Sequence, residues 1–308
     1  MKIISPYFEM QDDLDRSSLA VRLEACGRVC YKSEDKITEE SAIPFVTKIS
    51  AHGHNSLLEM AVATLRVSCH PDHVLEFLSC EPKFLVVDRT DQGIIVTGSI
   101  RAFRELYNSY PYNQVINDLL SVLAAKEPFL FEGVFDQKKC MEKDQQIYIE
   151  KLSLKDVEAF PSDLLLRHRF VGVKFIVNRA VSHELVRHRP CSFLQESQRY
   201  CRYSQDQYDG QVTFVKPMFY KEGSDEFRVW QKSMEISEVN YLKLLETSSA
   251  QAARTVLPNS CKTEIIVYCN LIEWQYIIKQ RTSKSADPSM REIMIPLEKE
   301  LKKRYPMI

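Results

Sequence analysis

Several protein classes are excluded by what the chain lacks. No stretch approaches the ~20 apolar residues that a membrane-spanning helix needs, so no membrane association is expected. The opening MKIISPYFEMQDDLDRSS reaches acidic residues before any signal-like apolar core. Long runs of one charge are missing, and 41 basic against 42 acidic residues leave a formal net charge of −1. No global field draws such a chain to a polyanion; nucleic-acid binding is not expected, and any anion site must be built locally. Glycine is scarce at 8 residues and proline numbers 13, which argues against low complexity and for order nearly throughout. Paired CxxC spacing is absent. The nine cysteines (Cys26, Cys30, Cys69, Cys80, Cys140, Cys191, Cys201, Cys261, Cys269) form an odd, irregular set that fits buried, reduced thiols, so the expected location is cytoplasmic.

What is present is enough to fold. The 308 residues, 44% of them hydrophobic, can bury a full core as one large domain or two ordinary ones. Apolar spacing predicts helices over 14–30, 38–51, 72–79 and 101–125, and strands over 61–69 (AVATLRVSC) and 93–97 (GIIVT). Residues 126–168 are the least patterned. Further on, 171–178 (VGVKFIVN) alternates around Lys174 as a strand and leads into a helix over 179–188 that Pro190 ends. A strand over 198–203 (QRYCRY), a long helix over 225–257, a strand over 263–269, and helices over 271–280 and 290–303 complete the reading. The class is α+β, a mostly antiparallel sheet with flanking long helices. Two stretches, 98–106 and 268–277, each run from a strand into an aromatic-bearing helix, an echo too weak to count as a repeat.

One constellation carries chemistry. Arg187-His188-Arg189 is followed, after seven intervening residues, by Ser197 and then Arg199-Tyr200. Guanidinium groups bind phosphate or an anionic ring edge in planar, bidentate fashion, and a nearby hydroxyl completes such a cradle. The plain alternative for an arginine-rich turn is a solvated basic loop. A second triplet, Arg167-His168-Arg169, serves as a control: the residue at the matching distance is Val177, not serine, so this triplet is expected to be a structural surface loop.

RHRPCSFLQESQRY at 187–200 resembles the signature of the flavin-dependent thymidylate synthases, with its spacing intact. The flanks NRAVSHELV and CRYS are similar to one branch of that family. ARTVLPNSCKTEIIVYCNLIEW (253–274), RTSKSADPSMRE (281–292) and HGHNSLLE (52–59) resemble three more of its blocks in the family's order. The resemblance covers most of the chain except about 108–168. It implies a single catalytic domain over 1–308, with about 108–168 as a peripheral insertion.

The same resemblance implies methylation of dUMP at C5, with methylenetetrahydrofolate as carbon donor and FAD, reduced by NADPH, as hydride source. It also implies a homotetramer with shared active sites. Arg187, His188 and Arg189 would line the flavin and the neighbouring substrate; Ser197 and Arg199 would meet dUMP. Arg254 and Arg281 match the later arginines that hold dUMP. Arg281 could stabilise negative charge on the uracil ring as C5 becomes nucleophilic, which with Ser197 makes it the catalytic candidate. Glu184 and Gln195 match positions that touch the nucleotide, and Gln195 the flavin as well; Glu184 could equally pair along its helix with Arg187 or His188. Ser56 and Glu59 match FAD positions, although S-x-x-E is more often a helix capping box. His54 would stand near flavin or folate, and Asn270 and Tyr276 fall at FAD positions, with a strand-end cap as the plainer reading of Asn270.

The chain departs from the family at Leu194, Ile272, Tyr276 and Asp287; the last three are the support for the alternative, a non-catalytic flavin- or nucleotide-binding relative of the same fold. His52, His54, Cys69, His70 and His73 have metal-like spacing, but a nine-residue strand between the two groups sets them roughly 30 Å apart, so no metal is expected. Cys191 after Pro190 is read as a loop residue, not a nucleophile.

Overall fold

The computed structural model describes residues 1–38, 40–51, 55–136, 141–205 and 209–308. Its contacts divide the chain into two compact units: Met1–Asp12, Cys26–Asp35 and Val171–Ile308 form the first, and Asp13–Ala25 with Lys36–Phe170 the second. The chain is α+β with mostly antiparallel pairing.

In the first unit, β1 (Lys2–Ile4) runs parallel to β9 (Thr213–Val215). A four-stranded sheet has the order β2 (Tyr7–Met10), β7 (Phe170–Asn178), β10 (Lys262–Asn270), β8 (Ser192–Gln195). The β2–β7 and β10–β8 pairs are antiparallel. The two central strands are apolar, β-branched runs buried over most of their length, as expected of strands covered on both faces. Each ends in an asparagine that starts a helix. Asn178 accepts from the Val181 N–H at 2.9 Å and opens α9 (Arg179–Leu185); Asn270 accepts from the Glu273 N–H at 3.0 Å and opens α12 (Leu271–Arg281). Those two caps aim the ends of α9 and α12 and so place the candidate site. Trp274 of α12 is fully buried and donates its indole N–H to the Val171 carbonyl at 3.1 Å, locking α12 onto β7. α10 (Asp225–Thr247) lays Phe227, Trp230, Met234, Tyr241 and Leu245 into a core with Phe214. Burying each such side chain stabilises the fold by ~1.5–3 kcal/mol. α13 (Pro288–Arg304) packs on α12 and β2.

In the second unit, β4 (Leu85–Thr90), β5 (Gly93–Ser99), β3 (Val62–Ser68) and β6 (Tyr148–Lys151) form an antiparallel sheet in that order. The β4–β5 hairpin needs its glycine: Gly93 has φ 147°, and a Cβ there would meet the Val67 carbonyl oxygen at 2.0 Å. The segment expected as a peripheral insertion contributes α6 (Gln114–Lys126), β6, α7 (Leu154–Glu158) and α8 (Ser162–His168) to this unit.

Five expectations need correction. The helix over 14–30 is two helices, α1 (Asp12–Arg16) and α2 (Leu19–Tyr31), interrupted at Ser17 and Ser18. The helix over 101–125 is two helices, α5 (Ile100–Ser109) and α6, because Pro111 follows Tyr110 and the Asn113 side chain caps the second one. The strand over 198–203 does not form; the Ser197 carbonyl accepts from the N–H groups of both Tyr200 and Cys201, which curls the chain into a turn. The strand lies just before it, as β8. The helix over 225–257 stops at Thr247, and Ser249 caps a short α11 (Ala250–Ala253).

The triplet Arg167-His168-Arg169 is not a surface loop. It joins α8 to β7, with His168 2% and Arg169 4% exposed. His168 Nδ1 lies 2.8 Å from Thr97 Oγ1, and Nε2 lies 2.9 Å from Asp88 Oδ2. Arg169 pairs with the buried Asp15 at 2.9 Å. A buried polar group demands such partners, and periodicity does not reveal them. His168→Ala is expected to destabilise the protein by about 2–3 kcal/mol, because it empties a buried site and removes the ring's hydrogen bonds to Asp88 and Thr97. Arg167→Ala, whose side chain is 47% exposed, is expected to cost less than about 1 kcal/mol. Urea denaturation of the two variants checks the contrast; equal losses would contradict it.

Candidate functional site

The 187–189 turn follows from the end of α9. The N–H groups of Arg187, His188 and Cys191 bond to the carbonyls of Glu184, Leu185 and His188, winding the chain tightly before Pro190. This turns His188 inward, 5% exposed, and leaves Arg187 and Arg189 exposed. Arg281, the last residue of α12, reaches the same turn. Its Nη1 lies 2.6 Å from Glu184 Oε2, its Nη2 donates to the Glu184 carbonyl at 3.0 Å, and its Nε donates to His188 Nε2 at 3.0 Å. A guanidinium has no lone pair to offer, so His188 Nε2 must be the acceptor and the ring is neutral, with its proton on Nδ1. Burial, and then the Arg281 charge, push the His188 pKa down to about 4. Tyr276, also on α12, stands edge-on to His188 with ring centroids 6.2 Å apart and is 55% exposed.

A second group forms where β8 leaves the sheet. Gln195 donates its amide to Ser182 Oγ at 2.9 Å and Thr263 Oγ1 at 3.1 Å, tying β8 to α9 and β10. The Ser197 N–H bonds to the Cys30 carbonyl at 3.0 Å, and Ser197 Oγ accepts from the Arg199 N–H at 3.4 Å. Arg199 is exposed, lies 5.6 Å over the Tyr200 ring and donates from Nε to Gln251 Oε1 at 3.2 Å. Gln251 sits on α11, at whose end Arg254 is half-buried.

The structure therefore joins the expected cations in two groups. Arg281 meets the 187–189 turn directly, while Arg199 is bonded to the helix that ends at Arg254. Among the described residues, Arg187, Arg189 and Arg254 have no ion-pair partner. A cavity of about 280 Å³ is lined by Glu184 together with Val181, Phe219, Tyr220 and Trp230, and none of these arginines lines it. Asn270 has its side-chain oxygen engaged as the α12 cap. Ser56 and Glu59 belong to the second unit, in a 3₁₀ turn over Asn55–Met60; Ser56 is exposed and Glu59 pairs with Arg101 at 2.6 Å. His54 lies outside the described residues. Cys191 is buried, and burial pushes the Cys30 and Cys261 thiols up to about 12, where they stay protonated and inert.

Sequence reasoning missed a buried charge network beneath the second group. Glu264 pairs with Lys262 at 2.6 Å, with Lys174 at 2.8 Å and with Lys32. Lys262 also meets Glu196 at 2.8 Å, and Glu196 accepts from the Tyr203 hydroxyl at 3.0 Å. Burial alone would push the Glu264 pKa up, but the ammonium groups of Lys262, Lys174 and Lys32 outweigh it and hold the carboxyl well below the usual range. The available signal was a lone charge inside each of two apolar strands, Lys174 and Glu264.

Fold and site together define an α+β protein in which arginines from distant stretches are held around one neutral histidine and one serine turn. Residues 138–307 match the model of the family described as thymidylate synthase complementing protein, and the chain belongs to that family. It is 32% identical over 164 residues to a flavin-dependent thymidylate synthase of Pyrococcus horikoshii, covering 50% of this chain and 67% of the relative. The protein of that name from Corynebacterium aurimucosum is 30% identical over 163 residues, 47% of this chain and 63% of its own. The one from Thermococcus kodakarensis is 35% identical over 127 residues, 41% of this chain and 51% of its own. The matches thus span about half to two thirds of these relatives.

His188 couples the site to acid. Unfolded, it titrates near 6.5, and folded near 4, so between these values the unfolded chain binds the extra proton. Its contribution to stability is complete above pH 6.5 and is expected to fall as the pH drops towards 4, where protonation also breaks the Arg281 bond. Denaturation midpoints of the wild type and His188→Gln across this window check it: the variant should show a shallower loss, and parallel curves would refute the linkage.

Proposed function

We propose that this chain is a flavin-dependent thymidylate synthase, methylating dUMP at C5 to dTMP, with methylenetetrahydrofolate as carbon donor and FAD reduced by NADPH. The observation that carries this reading is the clasp of Arg281 on Glu184 and His188, which lie 97 and 93 residues away in sequence. It brings two separate family blocks together at one turn. We propose further that the active enzyme is a homotetramer in the cytoplasm whose active sites combine several chains, with Ser56, Glu59 and His54 contributing to the flavin and folate side.

The residues present fit a flavin dinucleotide. Arg187 and Arg189 are exposed cations without ion-pair partners among the described residues, suited to a diphosphate, and Tyr276 offers an exposed ring face to a flat heterocycle. Bound there, FAD supplies the hydride and the folate the carbon, which no side chain can provide. The chain's own part is orientation and charge. Ser197 Oγ accepts from the Arg199 N–H, leaving its own hydrogen to donate to a phosphate oxygen. Among the described residues Arg199 bonds only from Nε, to Gln251, which leaves its two terminal nitrogens for a bidentate phosphate contact. Gln195, fixed by Ser182 and Thr263, faces the nucleotide beside them, and Arg254 adds a further cation. The Arg281 guanidinium is held by Glu184 and a neutral His188. It offers positive charge where the uracil ring becomes negative as C5 turns nucleophilic, without reorienting during the reaction.

The purified protein is expected to be yellow and to bleach with NADPH, with oxidation of NADPH dependent on dUMP and methylenetetrahydrofolate. Arg281→Ala should lower kcat by about 10²–10³-fold. A colourless protein that cannot be reconstituted with FAD would sink the reading; a yellow, dUMP-binding protein without turnover would identify a non-catalytic relative.

A further inference from the structure

The charge network beneath the 195–199 turn is costly to build. Glu196 is 2% exposed and Glu264 5%, and taking a carboxylate out of water costs several kcal/mol unless its partners are well placed. Even well-paired buried charges are commonly no more stabilising than apolar residues of the same volume. Stability alone therefore gives no reason for five charged side chains here; their fixed directions do.

Those directions converge on one short segment. Glu196 lies between Gln195 and Ser197, the two residues expected to face the nucleotide. Its backbone N–H bonds to the Glu264 carbonyl at 2.8 Å, extending the β8–β10 ladder by one residue. Its carboxylate is gripped from two sides, by Lys262 Nζ at 2.8 Å and the Tyr203 hydroxyl at 3.0 Å. Lys262 is in turn fixed by Glu264, and neighbouring Thr263 holds Gln195 from the adjacent strand position. At the far end of the turn, the Tyr203 N–H lies 3.4 Å from the Tyr241 hydroxyl, and that hydroxyl donates to the Cys201 carbonyl at 3.5 Å. The strand expected over 198–203 is thus replaced by a turn whose two ends are pinned from below, while Ser197 and Arg199 stay on its outer side.

We propose that the buried Glu196–Lys262 pair, with Tyr203, positions Gln195, Ser197 and Arg199 for an anionic nucleotide. The pair touches no ligand itself and acts through the turn it holds. This rests on the functional reading above for the identity of the nucleotide, though not for the rigidity of the turn.

The test uses the full-length protein with Glu196→Gln, which keeps the side chain's shape, Tyr203→Phe, which removes one hydroxyl, and Lys262→Met. Two readouts are taken on folded protein: the dUMP dissociation constant by calorimetry and hydrogen exchange of the 196–201 amides. Glu196→Gln is expected to weaken dUMP by about tenfold and to speed exchange across the turn, with Tyr203→Phe smaller in both. The double variant Glu196→Gln/Lys262→Met should lose no more than the worse single one, since the two residues act as a unit. Unchanged affinity or unchanged exchange in folded Glu196→Gln overturns the proposal, because a purely structural pair would lower the melting temperature and leave both untouched. Failure of the wild type to bind dUMP would overturn the functional reading instead, and the exchange data would then judge the positioning claim by themselves.

Discussion

Glu264 cannot sit in the first unit as a bare charge. Its carboxylate lies near the start of β10, and three ammonium groups close on it: Lys262 from its own strand, Lys174 from β7, and Lys32 from the segment after α2 (Leu19–Tyr31). Each ammonium would be unfavourable there without the carboxylate, so the four groups are held in one arrangement or not at all. Burial disfavours the charged forms, yet Lys174 and Lys262 are held above the ordinary lysine range because their carboxylate partners outweigh it. The consequence is register. β7 and β10 are neighbours with their charges matched, and β8 is added to β10 with Glu196 delivered to Lys262.

From that register the site follows. Once β7 and β10 are aligned, the asparagine caps at their ends start α9 and α12 from adjacent strands. The last residue of α12 then reaches the turn after α9, and Arg281 finds Glu184 and His188. The arrangement has a division of labour. Glu184 and the neutral ring of His188 use the Arg281 donors to fix its orientation, whereas Arg187 and Arg189 remain exposed cations. Ser197 and Arg199 are set by the neighbouring strand β8, which the buried network anchors.

The two RHR triplets illustrate what a motif is worth. Arg167-His168-Arg169 and Arg187-His188-Arg189 are identical in letters and differ in environment. The first is absorbed in pairs with Asp15, Asp88 and Thr97; the second presents two exposed cations around one buried ring. Only the spacing to Ser197 separated them beforehand. Placing the first triplet on a surface loop fails, because burial with polar partners leaves no trace in hydrophobic periodicity.

Much of the fold was written in local pattern. The central strands around 171–178 and 263–269, the helices that follow them, and the α+β class all come from apolar periodicity, which is a property of short windows. The break at Pro111, the stop of α10 at Thr247 and the turn at 197–201 depend on single capping or curling hydrogen bonds, and these were misread as continuous elements. The residues of the candidate site were likewise legible as motif blocks in order along the chain. Their grouping was not: that Arg281 chooses Glu184 and His188, that Arg199 leans on Gln251, and that Glu196 is buried on Lys262 are settled by strand order and register. Pairings across some 50 to 100 residues follow from how the sheet assembles, and no local window of sequence carries that information.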